Sequence, residues 1–226
     1  MRTLLLHGFS GGPRSFAHLG LDAVAPELPG HGESPDATSW EDALRSLERL
    51  LDPGPVVLAG YSMGGRLALA LALRRPEQVA RLLLESATAG IEDAQEREQR
   101  RGDDEALAAF VEERGVPAFV DRWEAHPTLA SLRPFAERLR PERLRHRASG
   151  LASALRHLGA GAQPSYWPRL GELRMPVDLI AGRRDEKFAG IARRLQERLP
   201  RAKLHLFDCG HAPHLEDPRR YLEVLR

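Results

Sequence analysis

Short apolar runs recur along the chain, and each is followed by a glycine-containing turn and, in most cases, a segment with helical spacing of its apolar residues. Buried strands of a parallel sheet are short and almost continuously apolar, because helices cover both faces of such a sheet. The pattern therefore predicts about six strands. They lie at 3–6, 22–25, 55–59, 79–84, 177–180 and 203–207, with the strand at 22–25 on an edge.

Helical segments separate most of these runs. Ser39 is a residue type that favours a helix N-cap, and Asp42 follows three positions later, so a helix is predicted from there through Leu51. Further helices are predicted at 65–73, 190–199 and 217–225. Strands that alternate with helices indicate an α/β fold, in which the loops at the carboxyl ends of the strands carry the functional site.

The segment 91–168 departs from this alternation. It is rich in Arg and Glu, contains several short helical patterns and lacks a convincing strand. We interpret it as a helical cap inserted into the core, placed to overhang the site and exclude water. The alternative is that the segment only thickens one side of the core. The predicted domain organisation is a first part of the core at 1–90, the cap at 91–168 and a second part of the core at 169–226.

Composition narrows the class of protein. With 226 residues, 42% hydrophobic and 29% charged, the chain fits one globular domain that carries an insertion. A net charge of +1 gives no indication of a nucleic-acid or membrane surface, and no stretch is long enough to span a membrane. Cys209 is the single cysteine, which excludes an internal disulfide and favours a cytoplasmic location.

The motif Gly60–Gly64, with the sequence Gly-Tyr-Ser-Met-Gly, lies between a predicted strand and a predicted helix. A strand, a G-x-S-x-G turn and a helix together form a nucleophile elbow. The turn holds Ser62 in a strained backbone conformation, above the sheet and at the start of a helix, so only glycine fits at the flanking positions. Ser62 is therefore the predicted nucleophile.

A serine needs a histidine to accept its proton and an acid to orient that histidine. In this fold the chain order is serine, acid, histidine. His211 follows the last predicted strand and Asp185 follows the strand before it, so these residues complete the predicted triad; nearby His214 is expected to be structural. Two other acidic residues are weaker candidates for the orienting role: Glu186 and Asp208.

Backbone N–H groups are the expected oxyanion donors. An elbow of this kind uses the residue after the nucleophile, here Met63, and a residue of an early loop, here Phe9. His7 and His31 are expected to brace their loops through hydrogen bonds rather than to take part in the chemistry.

Three arginines are candidates for substrate binding. Arg66 lies four residues after Ser62, one turn into the elbow helix, while Arg100 and Arg156 lie in the predicted cap. Guanidinium groups pair with carboxylates in bidentate fashion, so arginines that converge on one site would select a substrate with several carboxylates. On spacing alone, a solvent-exposed position is an equally good interpretation of Arg66 and a better one of Arg100 and Arg156.

The chain resembles α/β-hydrolase-fold enzymes of menaquinone synthesis, the 2-succinyl-6-hydroxy-2,4-cyclohexadiene-1-carboxylate synthases. The segments 6–11, 29–34 and 210–211 are common to the whole superfamily, whereas Arg66, the Trp123 segment and the Gly-Ala-Gln-Pro-Ser segment are more particular to this family. Members of this fold usually have two further strands before the His-Gly-Phe loop, so a sheet of about six strands without those two is expected here. The similar segments are 6–11, 29–34, 60–66, 119–124, 155–167, 185–188 and 210–211.

The resemblance implies a lyase whose triad acts as a base: it removes a proton from a cyclohexene ring and pyruvate is eliminated, with no cofactor and no metal. It implies a small polycarboxylate substrate, no nucleic-acid partner, and a monomer or weak homo-oligomer. Two alternatives remain open. One is a serine hydrolase of esters or carbon–carbon bonds, and the other is a binding protein that has lost catalysis. The resemblance also implies that the pocket is lined by Tyr61, Arg66, Arg100, Trp123 and Arg156.

Overall fold

Five apolar segments form one parallel sheet in a computed structural model that describes residues 1–226. The order of the strands across the sheet follows their order in the chain. This arrangement confirms the predicted parallel α/β class and brings the carboxyl ends of all the strands to one edge. The strands are β1 (Thr3–Leu6), β2 (Val56–Tyr61), β3 (Val79–Glu85), β4 (Val177–Gly182) and β5 (Ala202–Phe207).

The predicted edge strand at 22–25 is wrong, and the sheet has five strands rather than six. Only Val24 pairs with β1, through a single parallel bridge to Leu4. Its N–H donates to Thr3 O at 2.9 Å and its carbonyl accepts from Leu5 N–H at 2.8 Å. The next donor of the ladder would come from residue 26, which is a proline without an N–H, so the pairing ends there.

Eight α-helices connect the strands. The first begins as predicted: Ser39 caps it by accepting a hydrogen bond from Asp42 N–H at 3.0 Å. None of the helices is both long and apolar enough to cross a membrane. The helices are α1 (Trp40–Glu48), α2 (Met63–Arg74), α3 (Ala94–Glu124), α4 (Ala136–Leu144), α5 (Ala148–Leu158), α6 (Glu186–Arg198), α7 (Pro213–Glu216) and α8 (Pro218–Leu225).

Both faces of the sheet are buried, as the continuous apolar runs predict. On one face, side chains such as Leu58 and Leu179 pack against helix residues such as Leu67 and Leu195. On the other face, strand residues pack against α8 and the 3-10 helix Pro13–Leu19. The strands are therefore fixed on both sides, which makes the edge at their carboxyl ends a rigid platform for the loops that follow.

The segment between β3 and β4 contains helices and no strand. Its longest helix, α3, is broken at Gly115, where φ is 78° and ψ is 169°. Apolar residues of α3 and α5 form a separate buried cluster that includes Val111, Phe119 and Leu151. The division of the chain at 91–168 into a cap domain stays a prediction.

Candidate active site

Ser62 lies in the sharp turn between β2 and α2, with φ 52° and ψ −110°. Residues other than glycine rarely adopt this backbone conformation, because it is strained. Strained backbone of this kind concentrates at functional sites. A Cβ atom at Gly60 would lie 2.3 Å from Gly64 O, and one at Gly64 would lie 2.1 Å from Leu6 O. Glycine is therefore required on both sides of the serine, because strand, turn and helix approach each other too closely for any side chain.

Three side chains from distant parts of the chain meet at the carboxyl edge of the sheet. Ser62 Oγ lies 3.4 Å from His211 Nε2, and His211 Nδ1 lies 2.5 Å from Asp185 Oδ2. The His211 and Asp185 side chains are 6% and 9% exposed, respectively. With its Nδ1–H donated to the carboxylate, the imidazole presents an unprotonated Nε2 to the hydroxyl. The arrangement can withdraw a proton through the serine oxygen.

The competing residues have other partners. His214 Nδ1 bonds to Glu85 Oε1 at 2.7 Å, so this imidazole is held by a carboxylate beneath the elbow. Asp208 forms an ion pair with Arg183, and its side chain is 85% exposed. Glu186 is the exposed first residue of α6. None of the three is placed to orient the imidazole of His211.

Two backbone N–H groups are candidate oxyanion donors. Met63 is the first residue of α2, where N–H groups have no intrahelical acceptor. The N–H of Phe9, in the loop after β1, donates to no carbonyl of the loops and turns. Both residues line the same cavity as Ser62. Paired donors at a helix N-terminus can stabilise a negative oxygen that develops beside the serine.

Three neutral histidines fix the loop that carries Phe9. His31 Nε2 accepts from Ser10 N–H at 3.1 Å, and His7 Nε2 accepts from Leu28 N–H at 3.2 Å. His146, from the segment between β3 and β4, donates to Ser10 O at 3.1 Å and accepts from Gly32 N–H at 2.9 Å. Burial lowers the pKa of His7 to about 4 and that of His31 well below its usual range. The bracing role expected of His7 and His31 is therefore present.

A cavity of about 660 Å³ opens above the triad. Four of the residues expected to contact substrate line it: Tyr61, Arg66, Arg100 and Trp123. The ring of Trp123 stacks on Phe119 and meets the Phe9 ring edge-on at 5.2 Å. The Trp123 and Phe9 rings form an apolar part of the cavity wall beside the cationic groups, a combination that suits a ring-containing acid.

Arg66 is almost fully buried, with 8% of its surface exposed. Its guanidinium lies 3.5 Å from Gln163 Oε1 and 5.9 Å from the centre of the Trp40 ring. Burial, followed by the nearby charge of Arg100, lowers the pKa of Arg66 to about 9, so the side chain stays cationic at neutral pH. A buried cation with no carboxylate bonded to it favours an anionic ligand in this cavity.

The structure distinguishes Arg100 from its neighbour Arg101. Arg100 lines the cavity, and Asp104 holds its Nε at 2.9 Å. Arg101 instead donates to Gly161 O at 2.9 Å and does not line this cavity.

The expected placement of Arg156 in the pocket is wrong. Its guanidinium makes paired hydrogen bonds to Glu105 and Glu112, at 2.7–2.8 Å. Arg156 does not line the cavity above the triad. Two carboxylates of α3 already neutralise this arginine, so it joins α5 to α3 instead of meeting a substrate.

Spacing gave no indication of several other cationic residues that line the cavity. Among them Arg143 is buried and bonds to Glu124 at 2.9 Å. These residues lie in an Arg-rich sequence without a distinguishing motif, and only the folding of the chain separates them from surface arginines. The other cationic residues of the cavity wall are Arg14, Arg122, Arg138 and Lys187.

The fold and the site together define a serine-centred α/β-hydrolase. Residues 3–224 match the alpha/beta hydrolase family, and the chain belongs to that family. It is 37% identical to a putative 2-succinyl-6-hydroxy-2,4-cyclohexadiene-1-carboxylate synthase of Bacillus subtilis, over 99% of this chain and 88% of that protein. The resemblance to these synthases is thereby confirmed.

Two further relatives, one a solved structure and one a sequence, cover most of this chain. The solved structure of MenH from S. aureus superimposes with a TM-score of 0.92 and 32% identity, over 99% of this chain and 91% of that chain. A pimeloyl-[acyl-carrier protein] methyl ester esterase of Aromatoleum aromaticum is 36% identical, over 95% of this chain and 92% of that protein. Relatives named as a synthase and as an esterase therefore share this scaffold.

Proposed function

We propose that the protein is a lyase that eliminates pyruvate from 2-succinyl-5-enolpyruvyl-6-hydroxy-3-cyclohexene-1-carboxylate, a reaction of menaquinone biosynthesis. The observation that carries the proposal is the buried guanidinium of Arg66, which bonds to no carboxylate and lies in the same cavity as Ser62 and His211. A simple ester needs no such group, whereas this substrate carries three carboxylates. The similarity to the Bacillus subtilis synthase supports the same assignment.

The chemistry follows from the substrate's structure. The ring has a double bond between C3 and C4 and an enolpyruvyl ether on C5. The succinyl group is attached to C2 through its ketone carbon. Loss of the C2 proton and cleavage of the C5–O bond, with a shift of the double bond, give the 2,4-diene. The ether oxygen leaves with the enolpyruvyl group, which takes up a proton to become pyruvate, and no water is consumed.

In this proposal each group of site residues has a separate role in the reaction. His211, oriented by Asp185, makes the Ser62 oxygen basic enough to remove the C2 proton. Negative charge then develops on the adjacent ketone oxygen, and the N–H groups of Phe9 and Met63 stabilise it. The cationic side chains of Arg66 and Arg100 bind carboxylates, while Tyr61 and Trp123 contact the ring.

The segment 91–168 serves in the proposal as a cap, because Arg100, Trp123 and Arg143 on it form part of the cavity wall. We further propose a cytoplasmic location, since a single cysteine suits a reducing compartment, and a monomer or weak homo-oligomer acting on a small molecule without a nucleic-acid partner.

A serine hydrolase is the second candidate. The esterase relative and the presence of a complete serine, histidine and acid set favour it. In that case Ser62 would attack a carbonyl carbon and form an acyl intermediate.

One pair of assays separates the two candidates. The cyclohexene substrate is supplied and pyruvate is measured with lactate dehydrogenase, while p-nitrophenyl butyrate is tested in parallel. Stoichiometric pyruvate and negligible ester cleavage support the lyase. Ester cleavage without pyruvate release would replace it with the hydrolase.

A further inference from the structure

The loop that carries His211 is held by a carboxylate that follows it in the chain. Glu216 Oε2 accepts from Gly210 N–H at 2.9 Å, and Glu216 Oε1 accepts from Ala212 N–H at 3.2 Å. These are the two residues that flank His211. One side chain therefore fixes the peptide planes on both sides of the imidazole.

The same carboxylate also reaches the segment between β3 and β4. Ser131 Oγ donates to Glu216 Oε1 at 3.1 Å, and Ser131 lies in the 3-10 helix Pro127–Phe135. Gly210 lies directly against this hydroxyl: a Cβ atom there would be 2.1 Å from Ser131 Oγ and 3.3 Å from Glu216 Oε1. The loop and the 3-10 helix therefore pack closely here, and no side chain fits at position 210.

We propose that Glu216 is a positioning residue for His211. Its hydrogen bonds to Gly210 and Ala212 form a clamp on the loop, and Ser131 joins this clamp to the segment that covers the cavity. The inference rests on the proposed role of His211 in proton transfer. Ser62 Oγ lies 3.4 Å from His211 Nε2, near the outer limit of a hydrogen bond. A small rotation of the loop would therefore lengthen this distance and break the hydrogen bond. Glu216 limits that rotation, because its two oxygens hold the chain before and after the imidazole.

A purely local role would be to cap α7, whose first turn follows Ala212. Capping of α7 does not account for two of the contacts of Glu216. Gly210 lies outside the helix, and Ser131 belongs to a different element altogether. The experiment therefore needs readouts on His211 itself as well as on stability.

Two variants address the clamp, and one serves as the control. In Glu216→Gln, whichever way the amide faces, an NH2 group replaces the acceptor of at least one loop N–H group. Ser131→Ala removes only the link to the 3-10 helix. The matched control is Glu223→Gln, which makes the same change at an exposed position of α8.

Pyruvate release and proton NMR give the readouts, with circular dichroism to verify folding. We expect Glu216→Gln to lower kcat about 10- to 100-fold, as small misplacements of catalytic groups do, with KM changed less than about 2-fold. The low-field resonance of the proton between His211 and Asp185, identified by its loss in His211→Gln, should shift or broaden. Ser131→Ala should give a smaller change of the same kind, and Glu223→Gln none.

A folded Glu216→Gln protein with the wild-type resonance and a wild-type kcat would overturn the proposal. If Glu216→Gln does not fold, Ser131→Ala decides, since an unchanged resonance and kcat there contradict the clamp. If the wild-type protein releases no pyruvate, the proposed function fails. The NMR comparison still tests the position of His211 in that case, so the two failures are distinguishable.

Discussion

The carboxylate of Glu85 accepts two hydrogen bonds from His214, one from the backbone N–H at 3.0 Å and one from Nδ1 at 2.7 Å. Each of these side chains is 1% exposed. The backbone carbonyl of Glu85 also accepts from Ser62 N–H at 2.8 Å. One residue at the end of β3 thus anchors both the elbow and the loop of His211, and the relative position of the two reactive groups is built into the sheet.

Replacing this residue should destabilise the whole protein. Glu85→Ala leaves both donors of His214 without an acceptor in a buried site, which costs about 1–3 kcal/mol for each unsatisfied group. We expect the free energy of unfolding to fall by about 2–4 kcal/mol in urea titrations followed by circular dichroism. Glu223→Ala is the control, and an equal effect of the two substitutions would show that burial of the pair is not what matters.

Ser62→Ala tests the proposed base. The methyl group cannot relay a proton to His211, so pyruvate release should fall about 10²- to 10⁴-fold, the range that general base catalysis contributes. The fold should be unaffected, since Ser62 contributes only a small side chain and its backbone bonds remain. Wild-type turnover in a folded Ser62→Ala protein would contradict every enzymatic interpretation of this site.

Arg66 and Arg156 form a matched pair of arginines that the structure places differently. A hydrogen bond to a charged group contributes about 1.5–3 kcal/mol, so Arg66→Ala should lower kcat/KM about 10- to 100-fold. Arg156→Ala should leave kcat/KM within about 2-fold, because its partners Glu105 and Glu112 lie outside the cavity. The measurement is pyruvate release over a range of substrate concentrations, and equal losses would exclude a special role for Arg66.

The sequence was informative wherever a local pattern determines a local structure. Apolar runs located all five strands, and the cap at Ser39 located the start of α1. The wrong prediction of an edge strand at 22–25 also has a local cause, because Pro26 lacks the N–H donor that a longer ladder would need.

The candidate site was predictable only in part, for a physical reason. Ser62, Asp185 and His211 each follow a strand, and a parallel sheet brings such positions together. Arginine placement depends on the packing of helices against one another, which no short motif specifies. Arg156 therefore pairs with α3, whereas Arg143 lines the cavity.

The buried histidines around the Phe9 loop make stability depend on pH. Burial lowers the pKa of His7 to about 4, and it also lowers the pKa of His31 and of His146. The unfolded chain, with ordinary histidines, therefore binds more protons than the folded protein below about pH 6.5. Stability should fall as the pH falls through this range, by about 1 kcal/mol for His7 alone between pH 6.5 and 5.5.

Urea titrations at about pH 7.5, 6.5 and 5.5 measure this dependence above the range in which most carboxylates titrate. His146→Gln removes one of the titrating groups, so the decline in unfolding free energy between the upper and lower pH should become shallower. His157→Gln is the matched control, because it makes the same substitution at a histidine outside the group that braces the Phe9 loop. If wild type and His146→Gln lose the same free energy over this range, the buried imidazole is not the source of the acid sensitivity.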